Sequence, residues 1–70
     1  MIRFDEAPLP IVLQEITAIY GILFNTQNSQ ETDILFSGGI PNDNLAIALE
    51  NIREVYGIKI EKQGSTYIIE

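Results

Sequence analysis

The sequence predicts an α+β fold built from two copies of one β-α-β unit, with two helices packed side by side between two small sheets. Three observations predict it. A shift of 36 residues lays residues 9–22 (LPIVLQEITAIYGI) over residues 45–58 (LAIALENIREVYGI) without a gap, and seven of the fourteen positions are identical. Both segments carry apolar residues at helical spacing and leave through the same Tyr-Gly-Ile exit. Short strand-like runs flank both, which gives the order β-α-β, loop, β-α-β-β.

The first copy, residues 2–25, opens with the strand IRF. In its helix, Leu9, Val12, Leu13, Ile16, Ile19 and Tyr20 follow helical spacing. Pro8 and Pro10 stand in the opening turn, where the N–H groups have no intrahelical partner. Pro8 also pushes Ala7 into extended geometry, which makes Ala7 the expected N-cap. Only Gln14, Glu15 and Thr17 are polar, so this helix is expected to be buried on more than one side, as between two sheets. Gly21 follows the last turn, where a left-handed residue ends the helix. ILF, residues 22–24, closes the copy, and the polar run NTQNSQETD, residues 25–33, reads as a surface loop.

The second copy, residues 34–62, opens with ILFSGGI, in which Gly38-Gly39 suggests a bulge or bend. The shift places Asp43 over Ala7, and Asp43 is the expected cap of the second helix. Gly57 repeats the exit of Gly21. IKIEK closes the copy, and a turn at Gln63-Gly64 leads into a hairpin strand over residues 66–70.

Seventy residues make one domain, here residues 1–70. With neither cysteine nor histidine, no disulfide or usual metal site reinforces it, and the 46% apolar content must hold the core. Arg3, Arg53, Lys59 and Lys62 face ten carboxylates, for a net charge of −6. Binding nucleic acid requires several phosphates to be neutralised by Lys or Arg, so this balance argues against nucleic acid and against an anionic membrane surface. No apolar run approaches the ~20 residues of a membrane span. The N-terminal residues MIRFDEAP contain no signal-peptide core.

Catalytic chemistry finds little support. The commonest general base, His, and the strongest nucleophile, Cys, are missing. Ser29, Ser37 and Ser65 read as loop or turn residues. Asp5, Glu6 and Asp43 precede helices, where acids complement the helix dipole. ETD (residues 31–33) and NDN (residues 42–44) lack the regular ligand spacing of a calcium loop. Gly38-Gly39 has neither the GxGxxG nor the GK[ST] of a phosphate cradle. Phe4, Phe24, Phe36, Tyr20 and Tyr56 read as core aromatics, and Tyr67 on the last strand is left open. No catalytic residue, cofactor or metal is expected.

FDEAPLPIVLQEITAIYGILF, followed by LFSGGIPNDNLAIALENIREVYGIKIEKQGSTYIIE, resembles the C-terminal domain of FecR-type anti-sigma regulators, in the form common in Bacteroidetes. The matching features are Phe4 with Pro8-Leu9, the Tyr20-Gly21 exit, Phe36-Ser37-Gly38, Leu45 with Leu49, and the closing Gly64, Ile68 and Ile69. That domain is similar to the short N-terminal domain of secretins and TonB-dependent receptors. The place where those relatives carry an LLxGTGL-like segment reads IREVYGI here, which favours the anti-sigma member.

The resemblance implies a relay. The chain would be the periplasmic C-terminal module of a single-span inner-membrane regulator. It would sense the signalling domain of an outer-membrane TonB-dependent transducer, while the cytoplasmic part of the parent holds an extracytoplasmic-function sigma factor. Two other readings stand beside it: an assembly or signalling N-terminal domain of a receptor or secretin, and a small enzyme on a ferredoxin-like frame, for which fold alone is no warrant. The expected partner-binding element is a sheet edge at the last strand, Thr66, Tyr67, Ile68, Ile69 and Glu70, because an exposed edge accepts a partner strand.

Overall fold

The structure, a computed structural model, describes residues 1–26 and 33–70. Ser29, Glu31 and most of the polar loop lie outside the described residues. The elements are β1 (Ile2–Ala7), α1 (Leu9–Tyr20), β2 (Leu23–Asn25), β3 (Phe36–Ile40), α2 (Leu45–Tyr56), β4 (Ile60–Gln63) and β5 (Thr66–Ile69). β1 pairs antiparallel with β3, and a second sheet has the order β2-β5-β4. The fold is α+β, with two helices between two small sheets. α1 touches β1 of one sheet and β2 of the other, while α2 packs on β3.

The repeat organises the core. Val12, Leu13, Ile16 and Tyr20 in α1 correspond, 36 residues on, to Ala48, Leu49, Ile52 and Tyr56 in α2. All but the partly buried Tyr20 are buried, and they meet Ile40 from one sheet and Ile60 and Ile69 from the other in one apolar cluster. Fully burying side chains of this size stabilises by about 1.5–3 kcal/mol each.

The two tyrosines at the helix exits clasp the helices together. The Tyr20 hydroxyl donates to the Pro41 carbonyl at 2.5 Å and accepts from the Asn44 N–H at 3.1 Å, at the entry of α2. The Tyr56 hydroxyl donates to the Ala7 carbonyl at 2.7 Å, at the entry of α1. Each helix exit therefore meets the other helix's entry, so the helices run antiparallel. The clasp is unequal for a covalent reason. The shift places Pro8 over Asn44, and proline has no N–H to offer Tyr56. Gly21 and Gly57 follow with φ of 67° and 64°, the left-handed geometry expected of a helix exit, and their N–H groups bond back to Thr17 and Arg53.

Several expectations are corrected. The cap of α2 is Asn44, not Asp43: the Asn44 side-chain oxygen accepts from the Ile47 N–H at 3.2 Å. The cap of α1 is Pro8, not Ala7, and no side chain caps that helix. α1 is buried where it meets both sheets, as expected, and leaves Ile11 and Ile19 46% and 44% exposed. Its apolar character exceeds what the two small sheets cover. The hairpin turn is Gly64-Ser65, one residue later than expected, because Gln63 still pairs with Thr66.

The bulge lies on β1, not at Gly38-Gly39. Phe4 pairs with Gly38 and Ala7 with Phe36, so Asp5 and Glu6 together face Ser37 alone. Glu6 takes φ 49°, and its N–H bonds to the Ser37 hydroxyl oxygen at 2.8 Å.

Candidate docking surface

The last strand is not an edge. β5 pairs in parallel with β2 through Leu23–Thr66, Phe24–Tyr67 and Asn25–Ile68, and antiparallel with β4 through Ile60–Ile69 to Gln63–Thr66. Glu70 extends the ladder by exchanging two backbone hydrogen bonds with Lys59, at 2.9 and 3.0 Å. Both sides of residues 66–68 are thus occupied, Ile69 and Glu70 are paired on the β4 side, and β5 is the central strand of its sheet. Tyr67 stacks at a tilt on Phe24, with ring centroids 6.0 Å apart.

The edges belong to β1, β2, β3 and β4. β2 has three residues and β4 four, whereas β1 has six and is the longest. Strand geometry determines what β1 presents outward. The Glu6 N–H points into the sheet, toward Ser37. Successive residues of a strand alternate the direction of their N–H and C=O groups. The bulge at Asp5 and Glu6 breaks that alternation, so β1 presents an irregular unpaired edge.

An open groove of about 410 Å³ runs beside this edge, against α1. Consecutive residues of β1 line it, so it follows the strand's main chain instead of one face of the sheet. Ile2 and Phe4 supply its partly buried apolar side, and the half-exposed Ile11 of α1 faces it. Arg3, Asp5 and Glu15, all exposed, supply its charges. Phe4 is held by a tilted contact with Phe36, centroids 5.9 Å apart. The far end of β1 is held by the bond from Tyr56 to Ala7. Burial raises the Tyr56 phenol above its ordinary pKa, so the hydroxyl stays a donor through the neutral range.

Among the described residues no polar or charged side chain is buried, and no group of three His, Cys, Asp or Glu comes together as a metal site. Asp43 lies exposed before α2, and Pro8 at the mouth of the groove. The arrangement suits contact with another macromolecule: an unpaired strand edge, apolar surface and peripheral charge. Sequence reasoning missed this edge, because which strands remain unpaired is decided by non-local pairing. It also missed Asn44, although the shift that aligns the helices puts Asn44 over Pro8, directly before Leu45.

The family model for the FecR C-terminal region matches residues 1–69. Two crystal structures share the fold, each of a candidate anti-sigma factor from Parabacteroides distasonis ATCC 8503. One, at 1.65 Å resolution, superposes with a TM-score of 0.85 at 20% identity over 99% of this chain and 32% of that one. The other, at 2.50 Å, gives 0.83 at 20% identity over 97% of this chain and 32% of that one. The chain thus spans about one third of the length of either. No curated protein matches the sequence significantly.

Proposed function

The chain belongs to the FecR C-terminal family, and on that premise we propose that it is the signal-receiving module of an anti-sigma regulator, acting by binding and not by catalysis. The match over residues 1–69 carries the proposal, since it accounts for the whole fold and not for one element. The surface agrees with it: an unpaired edge, exposed aliphatic side chains on α1, and, among the described residues, no buried polar side-chain group beyond the Tyr56 hydroxyl, which is bonded to Ala7.

In this reading residues 1–70 are one domain, placed in the periplasm as the C-terminal part of a single-span inner-membrane protein. Its partner is the signalling domain of an outer-membrane TonB-dependent transducer. The sigma factor is held by another part of the parent. No helix among the described residues is long and apolar enough to cross a membrane, so the span would come from elsewhere in the parent.

The test is isothermal titration of this chain with the isolated signalling domains of the transducers encoded in its own genome. Saturable binding to one of them, with a micromolar or tighter constant, is expected. Failure of every signalling domain to bind would overturn the assignment of partner.

A further inference from the structure

We infer that the outer edge of β1, with the groove beside α1, takes an extended basic segment of a partner protein as an added strand, its Lys or Arg residues alternating with apolar ones. The inference rests on the reading of the domain as a docking module and names the surface and the chemistry of its partner.

Three features select this occupant. β1 is an edge strand and the groove runs along residues 2–7, and an unpaired edge is satisfied by a strand and not by a helix. The half-exposed Ile11 and the partly buried Ile2 and Phe4 give alternate apolar side chains of the incoming strand a surface to cover. Charge sets the sign. Asp5, Glu6 and Glu15 line the groove against the single cation Arg3, in a chain whose net charge is −6. A basic segment is drawn to such a surface and held in register by it.

The same charges disfavour a second copy of this chain. Pairing β1 with another β1 would bring carboxylates against carboxylates, and like charges facing each other across a sheet destabilise it. A small polar ligand is disfavoured too, because no buried polar side chain among the described residues is present to orient it. The bulge at Asp5 and Glu6 limits the regular edge to the N-terminal part of β1, so the added strand is short.

The experiment uses two synthetic peptides of equal length, one alternating Lys and Val, the other Glu and Val. Each is titrated into the ¹⁵N-labelled chain and followed by amide shifts. The Lys–Val peptide is expected to move the amides of β1 first, to weaken as salt rises, and to bind about tenfold or more tightly than the Glu–Val peptide. Asp5→Lys and Glu15→Lys, which each reverse a charge lining the groove, should each weaken the Lys–Val peptide about tenfold.

Thermal melts run alongside. If Asp5→Lys does not fold, Glu15→Lys carries the test. Equal binding of both peptides, shifts confined to β2, β4 or the helices, or unchanged affinity in folded Asp5→Lys and Glu15→Lys would each overturn the inference. A transducer signalling domain that binds both variants normally would sink this surface and leave the regulator reading intact. Absence of any such partner, with the peptide result standing, would do the reverse.

Discussion

The clasp formed by the helix-exit tyrosines makes a graded prediction. Tyr56 is 4% exposed and its acceptor residue, Ala7, 6%, so Tyr56→Phe strands a carbonyl away from water. An unsatisfied buried group of this kind costs about 1–3 kcal/mol. Tyr20→Phe breaks two bonds, to the Pro41 carbonyl and from the Asn44 N–H, but at a half-buried to exposed site where water replaces the hydroxyl. Its cost is accordingly that of an ordinary solvated hydrogen bond, about 0.5–1.5 kcal/mol. In a domain of this size 1 kcal/mol moves the melting temperature by about 4–8 °C. Tyr56→Phe at about 2 kcal/mol should therefore lower it by roughly 8–16 °C, and Tyr20→Phe by less. Circular dichroism melts, with urea titration to confirm an unchanged slope, measure both. A Tyr56→Phe protein melting within a degree of the parent, or a Tyr20→Phe protein melting below Tyr56→Phe, would refute the reasoning.

Gly21→Val and Gly57→Val should each destabilise by about 1–2 kcal/mol or more, because a β-branched side chain is poorly tolerated at φ 67° and 64°; loss of less than half of that in urea titration would contradict it. Asn44→Ala should cost about 1 kcal/mol while Asp43→Ala stays within about 0.5 kcal/mol, since only Asn44 caps α2, and equal melting shifts would reverse that assignment. Burial raises the Tyr56 pKa above the ordinary value of a tyrosine, so the neutral phenol favours the folded state. That contribution is fully present below the unfolded pKa of about 10 and is lost as pH rises through the folded value. Stability should therefore fall in alkaline solution above pH 10, and less steeply in Tyr56→Phe; parallel stability profiles for the two proteins would contradict this.

Much of the fold is legible in local pattern. Helical spacing marks α1 and α2, the shared Tyr-Gly-Ile marks their exits, and the shift of 36 residues marks their equivalence. What was not legible depends on contacts between distant segments. β5 lies between β2 and β4 because of a parallel pairing with residues more than forty positions earlier, and nothing in Thr66 to Glu70 distinguishes a central strand from an edge. The bulge formed at Asp5 and Glu6 instead of the double glycine, because Ser37 supplies a side-chain acceptor that holds Glu6 at positive φ. The groove beside β1 followed from that topology. Its charges were visible in the sequence, where Asp5 and Glu6 were accounted for as helix-start acids and Glu15 as the polar part of α1.

In the proposed function this domain receives a signal by docking and passes it to a sigma factor held elsewhere in the parent. The most direct measurement is transcription from a promoter of that sigma factor, in cells whose chromosomal parent gene lacks only the segment for residues 1–70. Expression is expected to stop responding to the transducer's substrate while the remainder of the parent protein is still made. Induction of normal size from the shortened protein would contradict it.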